Sequence, residues 1–230
     1  IYIYLKGQNS LEIYNILPEH KEILWINISA PSLGDSLMDL SSRTMLIGRK
    51  VDLFTDKKNS DLYKDDFLFS KVFTDIKQVG ECRYDLVVLD SYSTRSIDIK
   101  VKIAPLKPFV GMFGYYNGPE VNRVLFSFHQ MNNLLGYDKN EIELNKMART
   151  SISISSTDQK IIKKTKLPTS FIAIVIGGEW SYRTYNKWDY VIEKLISKDN
   201  NLNIILIGSD NAKDSAKVIF DKFSNHNVIN

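Results

Sequence analysis

The fold turns on 23-ILWINISAPSLGDSLMDL-40. Its first part, 23-ILWINIS-29, is apolar at consecutive rather than alternate positions and stops at Ser29. A run of strand length with that pattern predicts a β-strand buried on both faces, as in a parallel sheet covered by helices. A loop of small residues, A-P-S-L-G-D, follows, and then a stretch predicted as helix over about 36–47. Strand, small-residue loop and helix together open a βα unit.

The same signal recurs along the chain. Apolar runs at 50-KVDLFT-55, 84-YDLVVLD-90, 109-FVGMFG-114, 171-FIAIVIGG-178 and 202-LNIILIGS-209 predict further strands. Helical spacing separates them. In 187-KWDYVIEKLISK-198, Trp188, Val191, Ile192, Leu195 and Ile196 fall at i, i+3, i+4, i+7 and i+8. Other predicted helices cover about 94–104, 120–136 and 211–224. Alternating strands and helices predict an α/β fold with parallel sheets. Residues 137–170 are polar, lack strong apolar periodicity and end in 163-KKTKLPTS-170, and so read as a linker. The expected division is residues 1–165 as one Rossmann-like domain and 166–230 as the start of another, with a ligand cleft at the carboxyl ends of the strands. Residues 1–20 fit no assigned element; an added edge strand and helix is one reading. The chain opens on Ile1 rather than Met and stops inside the strand-like 227-NVIN-230. It is therefore expected to be a piece of a longer reading frame.

Composition narrows the function. Of 230 residues, 43% are hydrophobic and 25% charged, enough to bury a real core. Thirty Lys and Arg against 27 Asp and Glu give a net charge of +3, too weak for a dedicated nucleic-acid binder. One cysteine, Cys82, rules out an intrachain disulfide and fits a reducing, cytoplasmic setting. That cysteine and three histidines make no zinc spacing. No apolar run approaches the roughly 20 residues of a membrane span. G-x-G-x-x-G and G-x-x-x-x-G-K-[ST] are both absent, which disfavours a nicotinamide enzyme and a P-loop nucleotidase.

Three stretches remain for chemistry. Asp35 stands at the mouth of the helix that follows the first strand. It has two readings: a cap that accepts hydrogen bonds from the exposed N–H groups, or a general base that takes a proton from an incoming hydroxyl. Gly34 beside it leaves room for a bulky substrate. In 177-GGEWSYRTYNKW-188, Gly177 and Gly178 lead into a loop with Arg183 and Lys187 and then a helix, a combination suited to a diphosphate; solvated charges on a simple turn are the bland alternative. Trp188 reads as a core anchor of that helix. In 207-IGSDNAKDSAK-217, Asp210 or Asp214 suits ribose hydroxyls, while Ser209 or Asp210 also suits an ordinary helix cap.

Together these stretches resemble glycosyltransferase family 9, the bacterial ADP-heptose:lipopolysaccharide heptosyltransferases. The opening resembles that family's apolar strand followed by a loop that starts at a serine and ends in Gly-Asp, here 29-SAPSLGD-35. Residues 50–73 resemble its second unit, 84-YDLVVLDSYSTRS-96 its next strand and loop, and 175–188 with 204–217 its donor-domain glycine, Lys-Trp and Gly-Ser segments. The resemblance runs over about 21–217. It implies a GT-B fold of two Rossmann-like doubly wound domains, the second incomplete here. It further implies an inverting, metal-independent transfer with no cofactor. The donor would be a nucleotide sugar, typically ADP-heptose, and the acceptor a Kdo-lipid A core at the inner-membrane surface. Asp35 aligns with the family's catalytic Asp. Ser32, Gly34, Ser91 and Arg95 would line the acceptor side. Gly177, Gly178, Arg183, Lys187, Ser209 and Asp210 would line the donor side. Three departures stand out. The family's lysine falls two residues before the Trp, where this chain has Asn186. The family's early helical Pro is missing from 40-LSSR-43, and the family's D-[ST]-G-x-x-H signature is expected past Asn230. A non-catalytic α/β module that binds an anionic ligand or a protein partner is the alternative function.

Overall fold

The computed structural model describes residues 1–80, 84–113, 122–177, 182 and 184–229. They form two compact units, Ile1–Ser156 and Thr157–Asn230. In the first unit the elements run α1 (Tyr2–Leu5), β1 (Glu22–Asn27), α2 (Leu33–Asp39), β2 (Lys50–Thr55), α3 (Lys57–Ser60), β3 (Phe69–Phe73), α4 (Ile76–Val79), β4 (Leu86–Ser91), α5 (Thr94–Ile103), β5 (Phe109–Phe113), α6 (Arg123–Leu134) and α7 (Glu141–Met147). The five strands are parallel and lie in the order β3-β2-β1-β4-β5.

The consecutive apolar residues of β1 are divided between two cores. Ile23 and Trp25 face one layer with Leu53, Val88 and Met112, covered by Leu125, Phe128 and Met131 of α6. Leu24 and Ile26 face the other with Val87 and Leu89, covered by Ile97 of α5. Each such side chain taken out of water is worth about 1.5–3 kcal/mol, so the helix layers on both faces supply the main driving force for this unit. The sequence reading misses β3. Only its end residues, Phe69 and Phe73, are buried, and Ser70 and Lys71 are exposed, as befits an edge strand that must not recruit another chain.

The helix expected over 36–47 is two elements. α2 ends at Asp39, and residues Ser41–Leu46 continue as a 3-10 helix. The Ser41 hydroxyl donates to the Met38 carbonyl at 2.7 Å and so competes with helical hydrogen bonding, while Ser42 meets Ser127 of α6 at 2.8 Å. The tighter winding also places Arg43 wholly inside, where it pairs with Asp66 at 2.8 Å. Residues 137–170 are not a bare linker. α7 has a reciprocal cap between Asn140 and Glu143 and anchors itself through one buried residue, Leu144. Residues 1–20 provide α1, a 3-10 turn at Asn9–Leu11 and an isolated bridge from Glu12 to Phe109, in place of an added edge strand.

The second unit contains α8 (Ser156–Lys164), β6 (Ile172–Val175), α9 (Trp188–Lys198), β7 (Ile204–Ile207), α10 (Lys213–Lys222) and β8 (Val228–Ile229). Its three strands are parallel in the order β6-β7-β8. Ile174, Ile204 and Leu206 pack against Ile192 and Ile196 of α9 and Ala216 and Ile219 of α10. Val175 and Ile207 stay 61% and 46% exposed. Burial on both faces, expected of most of the strands, holds for β1, β2, β4 and β5 of the first unit and not for these described residues of the second.

Candidate functional site

Strand order in the first unit reverses at β1, which has β2 on one side and β4 on the other. In an open parallel sheet, ligands bind outside the carboxyl ends of the strands at such a point. The segments leaving β1 and β4 there are joined by a buried carboxylate. Asp90 accepts from the backbone N–H groups of Ile28 (2.9 Å), Ser29 (2.7 Å) and Ser91 (2.6 Å) and from the Ser96 hydroxyl (2.7 Å). Burial pushes its carboxyl above the ordinary range, against these four bonds, which favour the charged form. Around it Ser29 lies 2.8 Å from Ser93 and 2.9 Å from Ser96, and Ser91 donates to Ser29 at 2.9 Å.

Asp35 is not the cap of α2. The helix begins at Leu33, and Ser32 is the cap, its hydroxyl accepting from the Asp35 N–H at 3.3 Å. The sequence places the helix start too late because Pro31 and Gly34 look like loop, whereas Gly34 has already joined the first turn. That turn points the Asp35 carboxylate outward but holds it at both oxygens. The Ser32 hydroxyl donates to Oδ2 at 2.6 Å, and Nη1 of Arg123 stands 3.5 Å from Oδ1. Arg123 is fixed in turn by Asp39, one helical turn on from Asp35, through its Nε and, at 2.8 Å, through Nη2. Its guanidinium also covers the Phe113 ring, 5.4 Å from the centroid. The Asp39 side chain is 3% exposed, and burial raises its carboxyl despite the lowering effect of Arg123. The Asp35 side chain is 23% exposed, a carboxylate reachable from solvent and able to accept a proton from a bound hydroxyl.

Among the acceptor-side candidates, Ser32 and Gly34 share the start of α2 with Asp35, and Ser91 joins the adjoining serine cluster. A Cβ on Gly34 would meet only the Ser32 hydroxyl, at 3.8 Å. No packing by the described residues therefore demands a glycine there. Arg95 is turned the other way. It donates to the Ile28 carbonyl at 3.0 Å and pairs with Asp56 at the end of β2, beside a pocket of ≈ 230 Å³.

On the second unit, a Cβ on Gly177 would lie 2.7 Å from that of Ala212 and 3.0 Å from Asn211 Oδ1. Gly208 is crowded by Ala212 in the same way. Both glycines let the 3-10 turn Asp210–Ala212 close over the ends of β6 and β7, which is an internal reason for Gly177. Ser209 occupies the cap position of that turn but directs its hydroxyl to Asn211 at 2.8 Å. Asp210 is almost fully exposed beside Lys213, and Lys187 is exposed at the start of α9. Gly178 and Arg183 lie outside the described residues. Trp188 is half-buried against the core, its ring edge-on to Tyr185 at 5.1 Å, and both border a pocket of ≈ 410 Å³ that Asp214 also lines. Among the described residues no group of three or more His, Cys, Asp or Glu side chains is placed to hold a metal ion, and no helix is long and apolar enough to cross a membrane.

Three residues of this site escape the sequence reading: Asp39, Asp90 and Arg123. Asp39 carries a readable signal, since Asp35 and Asp39 stand at i and i+4 on one helical face. Asp90 looks like the polar end of an apolar strand, and Arg123 is 88 positions from Asp35. Only the fold brings them together.

No protein-family model matches this sequence, and no curated protein sequence does. Solved structures do resemble it. An E. coli heptosyltransferase, WaaC with ADP, superposes with a TM-score of 0.62 at 15% identity over 91% of this chain and 75% of that one. A glycosyltransferase family 9 protein from Veillonella parvula DSM 2008 gives 0.64 at 11% identity, covering 90% of this chain and 69% of the other. The E. coli ADP-heptose lps heptosyltransferase II gives 0.61 at 14% identity, covering 88% and 69%. The fold is thus of the GT-B type, similar to that of these glycosyltransferases, with each unit Rossmann-like when taken by itself; at these identities the likeness is one of fold alone.

Proposed function

We propose that this chain is an inverting, metal-independent glycosyltransferase, with Asp35 as the general base. An acceptor hydroxyl bound beside Gly34 forms the new bond to the anomeric carbon of a nucleotide sugar. The bond from that carbon to the diphosphate breaks, its electron pair leaves with the nucleoside diphosphate, and the hydroxyl proton passes to the Asp35 carboxylate. One observation carries this reading: a carboxylate at the switch point, held at both oxygens yet open to solvent, beside a glycine that packing among the described residues does not require.

The donor is proposed to be ADP-heptose. The fold neighbours include a heptosyltransferase with ADP and one with ADP-2-deoxy-2-fluoro heptose, which supports an adenosine diphosphate leaving group. Gly178, Arg183, Lys187, Ser209 and Asp210 are the proposed donor contacts. Gly177 joins them through its backbone, since its missing side chain is accounted for by Ala212. The proposed acceptor is a lipopolysaccharide inner core, Kdo-lipid A, met in the cytoplasm at the inner-membrane surface. The test is Asp35→Asn assayed with ADP-heptose and a Kdo-lipid acceptor. Substitution keeps the shape and removes the base, so turnover falls by roughly 10²–10⁴-fold while donor binding persists. Retained turnover would remove Asp35 from the mechanism. A thermal-shift comparison of ADP-, UDP- and GDP-sugars checks the donor, because a ligand bound to the folded state alone raises apparent stability by about 2.7 kcal/mol at a hundredfold excess over Kd.

A further inference from the structure

Three cations stand around the loop that carries β1 into α2, and two of them are already engaged by carboxylates. Arg123 pairs with Asp39 and reaches Asp35. Arg95 donates to the Ile28 carbonyl and pairs with Asp56. The third is Lys58 of α3. That short helix turns Asn59 and Ser60 inward and leaves Lys57 and Lys58 outside. The Lys58 ammonium leans back over the loop and donates to the Pro31 carbonyl at 2.7 Å, 27 positions away in sequence. Among the described residues no carboxylate pairs with it.

An ammonium has three N–H donors and no acceptor. The bond to Pro31 uses one and fixes where the other two stand. They lie at the exposed stretch Pro31, Ser32, Leu33 and Gly34, where the acceptor hydroxyl is placed above. The fold has little need of a charge there, because Asp90 already holds the Ile28 and Ser29 N–H groups and Arg95 the Ile28 carbonyl. Charge balance points to a ligand instead. The Asp35 carboxylate is 23% exposed on the open side of the site. An acceptor that carries a carboxylate or a phosphate brings a second negative charge toward it, and like charges a few Å apart repel. A placed and unpaired ammonium offsets that repulsion for an anionic acceptor and does nothing for a neutral one.

We propose that Lys58 is the residue by which this site selects an acceptor with an anionic group near the hydroxyl that reacts, its free N–H donors bonding to a carboxylate or phosphate oxygen. This rests on the acceptor-side reading of Asp35 given above, and the test reads binding without turnover. Saturation-transfer NMR on the full chain titrates Kdo as the carboxylate probe, glucose 1-phosphate as the phosphate probe and methyl glucoside as the neutral control. Lys58→Gln removes the charge, keeps an N–H donor for the loop and lies on the surface, so thermal unfolding by circular dichroism stays as in the wild type. The expected result is an affinity for one or both anions that falls roughly tenfold in Lys58→Gln, as the loss of one charge-assisted hydrogen bond implies, and that Lys58→Arg retains. Which anion responds tells a sugar acid from a phosphate. Lys57→Gln removes the same charge one residue away and leaves the binding unchanged. The proposal is overturned if neither anion binds, if Lys58→Gln binds both as the wild type does, or if methyl glucoside binds as tightly as the anions. Equal losses in Lys57→Gln and Lys58→Gln overturn it too, since bulk charge then accounts for the attraction. If Asp35→Asn proves fully active, the enzymatic reading fails while the titrations still decide Lys58. If Asp35→Asn is inactive and Lys58→Gln keeps the wild-type acceptor KM, the enzymatic reading stands and the role of Lys58 falls.

Discussion

Gly34→Ala separates a ligand's need for glycine from the fold's. Gly34 is the second residue of α2, and the added methyl would touch only the Ser32 hydroxyl, at the ordinary van der Waals distance of 3.8 Å. Its backbone is not in the left-handed region, so alanine suffers no strain there. Alanine is favoured over glycine inside a helix by about 0.5–1 kcal/mol, and the lower end applies in a first turn. For a unit of 156 residues, about 0.5 kcal/mol raises the melting temperature by roughly 1–2 °C. An acceptor lying against that backbone would meet the new methyl directly. A tenfold rise in acceptor KM corresponds to about 1.4 kcal/mol of lost binding. Thermal unfolding by circular dichroism and initial rates at varied acceptor concentration read the two effects separately. Stability and KM therefore move in opposite senses: a better fold and a worse site. A higher melting temperature with an unchanged KM would show that nothing binds against Gly34. A lower melting temperature would refute the geometry of the turn itself.

Three further outcomes follow from the geometry. Arg123→Gln leaves Asp35 Oδ1 without its cation and lowers kcat by roughly tenfold, about 1.4 kcal/mol, with KM nearly unchanged; Arg123→Lys, tethered to the same Asp39, recovers part of it, and equal loss in both variants would deny a positioning role. Lys100 is buried, and desolvation lowers its ammonium from 10.5 to about 8. Between those values the unfolded chain holds more protons, so stability increases from pH 8 to pH 10.5 by up to roughly 3 kcal/mol, and Lys100→Met abolishes that slope in urea unfolding. Arg43 and Asp66, both fully buried, also bind the 151–153 segment: Ser151 accepts from Arg43 at 2.8 Å, and Ser153 donates to Asp66 at 3.3 Å. Arg43→Met strands the carboxylate and costs about 3–5 kcal/mol, whereas adding Asp66→Leu recovers most of the loss, as chemical denaturation would measure.

The parallel architecture was legible in the sequence because burial on two faces demands consecutive apolar residues, and 23-ILWINIS-29 and 84-YDLVVLD-90 have them. The place of Asp35 was legible for a similar reason: a carboxylate soon after a buried parallel strand lands at the carboxyl edge of such a sheet, although the helix begins at Leu33, earlier than the loop-like residues suggest. These are local signals, and local geometry suffices to read them. β3 was hidden because an edge strand buries only its ends, and the end of α2 because the Ser41 hydroxyl takes the Met38 carbonyl within a pattern that otherwise looks continuously helical. Tertiary structure alone decided the company each residue keeps. It gave Arg123 to Asp39 and Asp35, turned Arg95 away toward Asp56, explained Gly177 by Ala212, and gathered Tyr2, Tyr14 and Tyr92 from distant parts of the chain around one cavity. Hydrogen bonds and ion pairs reach only about 3 Å, so partners far apart in sequence are chosen by the fold, whereas a strand or a helix cap is chosen by its neighbours.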